Sequence, residues 1–448
     1  MPQDRAPSHP NLAAPSRRTP KVACPDLPLV AILPFLDVAP DGGEEHVCEG
    51  IAEEILLALN RLDGLRVLSR TSSFLFKDAN LPPEVVGRRL QAKYVVAGSL
   101  RREGPRMTLN AELVDVPSGT QLWRTHLDRE VKDIFTIVED LASGLARALD
   151  LEPQARHRPP VHPEAYDDYL KGRQYYFRFN RHGMRFAIQM FQEAIGIDPE
   201  YAAAWAGLAL CEAYLYIYVD RCEDHRAGAE AASLKALELD PDLAEAHVSR
   251  GVCLSAAGFA ERAEEAFETA LCMDPNLYEA YYFYARHCFA AGRSEEAIQF
   301  FEWAAALRPE DFQAVLLVAQ VYDALGIHDE AAAARRRGLQ RVEARLKHAP
   351  DDVRARYFGA NALVALGERE KGLEWAQMAR ALDPCDSMLL YNLACIHALA
   401  NDPEKALDCL TMSVAAGLSQ KSWILHDGDL AALHGHPRFQ ELLRSLDA

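Results

Sequence analysis

The chain has 448 residues, of which 49% are hydrophobic and 25% charged, and its formal net charge is -18. This composition excludes a wholly disordered chain, and since no window holds 18 consecutive apolar residues, no membrane-spanning helix is expected. Most of the negative charge, -15, falls in residues 151–448, which disfavours nucleic acid and anionic membrane surfaces as partners.

Residues 1–27 are rich in proline, serine, alanine and arginine and show no hydrophobic periodicity, which predicts a disordered tail. No apolar segment lies between Arg17-Arg18 and Pro25, so we expect no secretory signal. The ten cysteines include no Cys-x-x-Cys pair, and most occupy apolar positions of helical patterns. These features predict a cytoplasmic protein with free thiols and no zinc site.

Residues 28–150 alternate between strand-like and helical patterns. Strands are predicted at 29–33, 65–69, 94–98, 107–114 and 121–127, and helices at 49–62, 82–90 and 131–149. The last two strands flank Pro117-Ser118-Gly119, which predicts a hairpin turn. The order βαβαβββα predicts an α/β domain in which helices cover a mixed sheet.

Several segments of this region resemble the amino-terminal domain of TolB. They are Val30–Phe35, Gly50–Ile55, Ser69–Ser73, Tyr94–Arg101 and Gly119–Trp123. The resemblance implies a fold but not an activity. Neither a Gly-x-Ser-x-Gly elbow nor a phosphate-binding glycine loop occurs, so we expect no active site here.

A repeat array is predicted after a proline-rich linker at 151–163. Prolines recur at 199, 241, 275, 309, 350 and 384, with spacings of 42, 34, 34, 41 and 34 residues. A 34-residue period that closes on proline is typical of tetratricopeptide (TPR) repeats. The unit Tyr278–Asp311 also carries Tyr281, Ala285, Ala297 and Phe301 at the positions that TPR hairpins reserve for aromatic and small residues. This resemblance implies an all-α solenoid at 164–420, followed by a capping segment at 421–448.

In TPR proteins the first helix of each hairpin lines the concave groove. The resemblance therefore implies these inner-face, candidate partner-binding residues: Glu279, Tyr282, Arg286, Phe289, Gln313, Gln320, Asp323, Arg354, Tyr357, Asn361 and Tyr391. Aromatic and arginine side chains dominate many protein interfaces, so we expect a protein or peptide in the groove. Each of these residues could instead pack between repeats.

Two other groups of residues are interpreted more conservatively. Arg354 and Asn361 resemble the residues of repeats that hold a peptide's C-terminal carboxylate, but two residues of one repeat cannot form such a clamp. The aromatic cluster at 175–179, with Tyr214, Tyr216 and Tyr218, is interpreted as core rather than as a cofactor site.

A TolB-like domain followed by TPR repeats resembles the C-terminal regulatory half of bacterial adenylate cyclase-like and winged-helix signalling proteins. About 27 residues precede the first predicted strand, and we expect neither effector domain there. The sequence thus predicts a non-enzymatic interaction protein that needs no cofactor or metal. Two alternatives remain: a sensor whose TolB-like domain binds a small ligand and relays it through the repeats, or an enzyme, for which no catalytic residues are found.

Overall fold

The computed structural model describes residues 27–38, 45–60, 62, 64–68, 73–74, 81–130, 134–151, 162–177, 179–219, 221–308 and 311–446. The predicted tail at 1–27, the linker at 151–163 and the segment Ser69–Ser73 lie almost entirely outside the described residues.

The N-terminal part of the chain forms a six-stranded mixed sheet in the order β3-β1-β4-β5-β6, with β2 also paired to β4. The strands are β1 (Leu29–Ile32), β2 (Leu36–Asp37), β3 (Arg66–Val67), β4 (Tyr94–Glu103), β5 (Arg106–Asp115) and β6 (Thr120–Glu130). Strand β1 pairs in parallel with β3 and β4, whereas β4, β5 and β6 form antiparallel hairpins. The mixed sheet agrees with the predicted fold class. The two-residue β2 was not predicted, because so short a strand carries no alternating pattern.

Helices cover the sheet in the described residues, namely α1 (Glu45–Asn60), α2 (Pro83–Arg89) and α3 (Ile134–Ala148). Apolar residues of α1 and α3, such as Ile51 and Leu141, share one core with the inner side of β1 and β4. A smaller core on the opposite face places Ala31 and Val95 against Leu90, which follows α2. Strand β1 is therefore buried on both faces, as its continuous apolar run predicts.

From Pro163 to Ala415 the chain folds into seven consecutive helical hairpins. The first helices of the hairpins are α4 (Pro163–Tyr176), α6 (Ala202–Tyr218), α8 (Ala244–Ala256), α10 (Tyr278–Ala290), α12 (Phe312–Ala324), α14 (Val353–Ala365) and α16 (Ser387–Leu399). The second helices are α5 (Arg181–Ile197), α7 (Glu223–Leu239), α9 (Ala260–Met273), α11 (Ser294–Leu307), α13 (His328–His348), α15 (Arg369–Leu382) and α17 (Pro403–Ala415). The 41-residue proline spacing corresponds to the long helix α13, which has 21 residues.

Small residues and one aromatic ring hold successive hairpins together. The ring of Phe191 in α5 lies so close to Gly172 and Gly207 that a Cβ there would approach it within 2.7 and 2.6 Å. Gly251 faces Phe267 in the same way, at 2.7 Å. The ring of Phe191 thus contacts the first helix of its own hairpin and that of the next one.

Aspartates fix where several inner helices begin. The side chains of Asp311, Asp352 and Asp386 accept hydrogen bonds from the first backbone N–H groups of α12, α14 and α16. Such caps satisfy donors that have no partner within the helix. The aspartate caps therefore fix the first turn of these three helices.

The C-terminal residues form α18 (Lys421–His426), a 3-10 helix (Gly428–Leu433) and α19 (Pro437–Ser445). Helix α19 packs on α17, as expected of a cap. Residues 419–433, called the C-terminal segment below, instead lie against the inner helices α10, α12 and α16. Gly428 permits this approach, since a Cβ there would lie 3.0 Å from the backbone nitrogen of Ala324. The segment predicted only as an end cap therefore reaches into the array.

The sheet and the array also contact each other directly. Gly50 of α1 packs against Leu170 of α4, and Glu53 forms an ion pair of 2.7 Å with Arg173. No helix in the described part of the chain is both long and apolar enough to cross a membrane.

Candidate partner-binding site

The first helices of the array face one another, and their facing side chains form what we call the inner surface. Its two ends meet, because the Ser387 hydroxyl at the start of α16 donates a hydrogen bond to the carbonyl oxygen of Tyr218 in α6. The guanidinium of Arg354 in α14 likewise lies 4.7 Å from the ring of Phe179, which precedes α5. The array thus curls until its second hairpin touches its seventh.

A cavity of about 410 Å³ opens between α6, α8, α10 and the C-terminal segment. This volume is within the range of ligand sites in proteins. Aromatic side chains form much of its wall: Tyr176, Tyr214, Tyr216, Tyr218, Phe267, Phe283 and Trp423. The tyrosine cluster interpreted as core therefore also supplies the wall of a cavity.

The charged side chains that line this cavity are basic. Arg221, Arg286 and Lys421 line it together with His287, and among the described lining residues none is acidic. Burial lowers the pKa of His287, which favours its neutral form. In a chain of net charge -18, the site is thus a local concentration of positive charge.

Arg286 projects from α10 into a cage of aromatic rings. Its guanidinium lies 4.3 Å from the ring of Trp423, 5.0 Å from that of Tyr218 and 5.7 Å from that of Tyr282. Its Nη1 donates a hydrogen bond of 3.4 Å to the hydroxyl of Tyr282. Cation–π contacts of this kind are stronger where water is excluded. They hold the arginine in place without neutralising its charge.

Arg354 approaches the same tyrosine from α14. Its Nη2 donates to the Tyr282 hydroxyl at 3.3 Å, and its buried Nε has no hydrogen-bond partner within the described structure. Arg286, Arg354, Tyr282 and Tyr357 line a small cavity of about 20 Å³ next to the large one. Burial raises the pKa of Tyr357, so its hydroxyl stays protonated.

The C-terminal segment occupies the other half of the inner surface. The carboxylate of Asp429, 3% exposed, accepts hydrogen bonds from Gln320 (3.0 Å), Asn361 (2.6 Å) and Arg335 (3.3 Å). These donors lie on α12, α14 and α13. The inner surface thus already binds one carboxylate, which the chain itself supplies.

Two further contacts hold the C-terminal segment. The Asp427 carboxylate accepts a hydrogen bond from the Tyr391 hydroxyl, and Trp423 packs edge-on against Phe289 with 4.6 Å between ring centres. Phe289 is only 1% exposed because Trp423 covers it. Phe289 was expected to contact a partner in an open groove, but in the structure it contacts Trp423 of the same chain.

Cys395, Asp427 and Asp429 bring three possible metal-ligand atoms within 4.8 Å of one another. All four carboxylate oxygens already accept hydrogen bonds, those of Asp427 from the Asp429 N–H and from Tyr391. Burial and the charge of Asp429 raise the pKa of Asp427 to about 7. The cluster is best described as a polar network that holds the C-terminal segment.

The structure divides the predicted inner-face residues into three groups. Tyr282, Arg286, Arg354 and Tyr357 meet around the small cavity. Phe289, Gln320, Asn361 and Tyr391 contact the C-terminal segment. The remaining three bind neighbours in the array: Glu279 pairs with Arg308 at 2.7 Å, Asp323 pairs with Arg335, and Gln313 receives a 3.5 Å hydrogen bond from Tyr282.

Sequence reasoning missed Trp423, Lys421 and Arg221 as wall residues of the large cavity. A signal existed for one of them, since Trp423 is a lone aromatic in a polar stretch that was interpreted as a solvated cap. Arg354 and Asn361, the pair considered for a carboxylate clamp, do not act together. Asn361 binds Asp429, whereas Arg354 points to Tyr282.

Comparisons with known proteins agree with the repeat architecture. The tetratricopeptide repeat family profile matches residues 254–321. A Rhizobium meliloti (strain 1021) protein named "Putative adenylate cyclase 3" is 31% identical over 273 residues, which cover 59% of this chain and 46% of that protein. This chain therefore spans less than half the length of that relative.

Solved structures of repeat proteins are also similar. YrrB, described as a TPR protein with an unusual peptide-binding site, is 21% identical with a TM-score of 0.28, over 43% of this chain and 96% of YrrB. Human IFIT1, solved as a dimer with PPP-AAAA, is 14% identical with a TM-score of 0.43, over 69% of this chain and 77% of IFIT1. The family profile, together with the seven hairpins, shows that the chain carries tetratricopeptide repeats, a fold that generally mediates protein interactions.

Proposed function

We propose that this chain is a non-enzymatic regulatory protein that binds a segment of a partner protein on the inner surface of its TPR array. The observation that carries the proposal is the 410 Å³ cavity between α6, α8, α10 and the C-terminal segment. Its wall is rich in tyrosine, phenylalanine, tryptophan and arginine, the side chains that most often dominate protein interfaces. In this proposal the TolB-like region at 28–150 is a separate unit that presents or positions the array.

The test compares two tryptophan substitutions in one hairpin. Ala290, at the end of α10, lines the cavity, so Ala290→Trp should fill part of it. Ala306 is exposed on α11, the second helix of that hairpin, so Ala306→Trp is the matched control. Each immobilised chain is incubated with an extract of cells that express the protein, and captured proteins are identified by mass spectrometry.

Partner binding in the cavity predicts that the wild type and Ala306→Trp capture the same protein and that Ala290→Trp loses it. Circular-dichroism melts establish that both variants are folded. Equal capture by all three chains would contradict the proposal, since the cavity would then play no part in binding.

A second candidate function is a relay from the sheet to a separate effector. The direct contact between α1 and α4, through Gly50–Leu170 and Glu53–Arg173, supplies a physical connection for it. The name of the Rhizobium meliloti relative favours a signalling context. A relay requires that partner binding change the hydrogen-exchange protection of α1. Unchanged protection of α1 in the bound chain would speak against it.

A further inference from the structure

Arg286 and Arg354 are an unusual pair of charges for the interior of a folded chain. Both guanidinium groups donate to one acceptor, the hydroxyl of Tyr282, at 3.4 and 3.3 Å. Neither forms an ion pair with a carboxylate of the described residues. The charge of Asp311 acts on Arg354 without a direct contact. Withdrawing a cation from water costs free energy unless an anion or several acceptors replace the water.

Other arginines of the array show the usual arrangement. Arg308 pairs with Glu279 at 2.7 Å, Arg293 pairs with Glu264 at 2.8 Å, and Arg335 pairs with both Asp323 and Asp429. Packing of the helices therefore does not prevent pairing in this protein. The two guanidinium groups at Tyr282 differ because their neighbours are aromatic rings.

We infer that Arg286 and Arg354 form a binding site for a carboxylate of an acidic peptide segment that enters the large cavity. This inference rests on the proposed function and names the chemistry of the partner. Guanidinium groups bind carboxylates through short, charge-assisted hydrogen bonds, and most of the N–H donors of this pair are unused. The small cavity between them, about 20 Å³, has room for one water-sized atom group, such as a carboxylate oxygen.

The chain itself favours a peptide carboxylate over other anions. In the adjoining half of the inner surface, the side chain of Asp429, in the 3-10 helix Gly428–Leu433, is held by Arg335, Gln320 and Asn361. The same C-terminal segment packs Trp423 against Phe289, and the Arg286 guanidinium lies 4.3 Å from the Trp423 ring. The segment thus binds this half of the surface through an acidic residue and an aromatic residue six positions before it. The cavity walls offer the same combination, aromatic faces beside a guanidinium, to a segment from outside.

The probe is a fluorescein-labelled hexapeptide in which aspartate and phenylalanine alternate, and its twin carries asparagine in place of each aspartate. Affinities are measured by fluorescence anisotropy at about 50 mM salt, where charge interactions are weakly screened. The full chain should bind the acidic peptide at least about tenfold more tightly than its twin. Arg286→Gln and Arg354→Gln should each remove most of this preference, and Arg286→Lys should retain part of it.

The control is Arg337→Gln, which removes the same charge from an exposed position of α13, where Arg337 contacts Glu302 at 3.4 Å. It should keep the full preference. Melting curves establish whether each variant folds. Because the two arginines are tested in separate variants, the inference can still be tested with one variant if the other does not fold.

Three results would overturn the inference. They are equal binding of the two peptides by the wild type, an undiminished preference in both glutamine variants, and binding of inorganic phosphate that depends on these arginines while the peptide does not bind. If Ala290→Trp still abolishes partner capture while Arg286→Gln captures normally, only the carboxylate site is wrong. If Ala290→Trp captures normally, the proposed function itself fails.

Discussion

Replacing Asp429 by alanine should release the C-terminal segment from the inner surface. The side chain is fully buried and accepts hydrogen bonds from Gln320, Asn361 and Arg335, which lie on three different helices. Alanine removes the acceptor that these three buried donors share and the charge that pairs with Arg335. Movement of the segment away from the inner surface lets water reach all of these donors.

The expected cost follows from the burial of this group. Removing one partner of a buried ion pair costs about 3–5 kcal/mol. Arg335 keeps its contact with Asp323, which places the effect near the lower end, at about 3 kcal/mol. If the free energy of local opening of the C-terminal segment falls by this amount, its amide hydrogens should exchange about a hundredfold faster.

Hydrogen exchange followed by mass spectrometry measures this directly in residues 419–433. The control is Asp408→Ala, which removes an exposed carboxylate that contacts Arg438 at 2.7 Å and should change stability by less than about 1 kcal/mol. Exchange in the C-terminal segment should rise in Asp429→Ala and stay unchanged in Asp408→Ala. Equal protection of the segment in both variants would refute its anchoring by Asp429.

Three further predictions concern other parts of the molecule. Burial raises the pKa of Asp427 from 3.8 to about 7, so its contribution to stability is fully present below pH 3.8 and is lost as the pH rises through 7. The melting temperature of the wild type, relative to that of Asp427→Asn, should therefore fall between about pH 4 and pH 7 and level off above it, and a constant difference would contradict this. Gly50→Val places a side chain where Leu170 lies within 2.1 Å and should loosen the contact between sheet and array by about 1–3 kcal/mol, seen as faster hydrogen exchange in α1 and α4. Limited proteolysis should cut first in 1–27 and 152–162, and first cleavage inside the sheet would contradict a domain boundary there.

The helical hairpins could be predicted because each depends on contacts that are short in sequence. Phe191 fills the space beside Gly172 and Gly207, which lie within 19 residues of it along the chain. A solenoid repeats this local solution, so the pattern recurs with a fixed period and can be recognised without the fold. The strands of the sheet could also be predicted, because their apolar runs are local patterns in the sequence.

The site could be predicted only in part, because its decisive contacts join distant repeats. Arg354 and Tyr282 are 72 residues apart, and Ser387 and Tyr218 are 169 residues apart. Whether they meet depends on the small rotation between successive hairpins, summed over the array. Periodicity identified these side chains as inner-face residues but could not show that the array curls far enough to bring two arginines to one tyrosine.

Polar residues within apolar helices also indicated a buried contact, but the sequence alone does not show which residue they bind. Gln320 interrupts the apolar run of α12, and Asn361 interrupts that of α14, so both are costly to bury without hydrogen bonds. Asp429 satisfies both, and it also neutralises Arg335. Where the chain supplies an acidic residue, the inner surface is closed and its polar groups are paired. At Arg286 and Arg354 the same surface has a cavity and an uncompensated positive charge. A binding segment for that half therefore has to bring its own carboxylate.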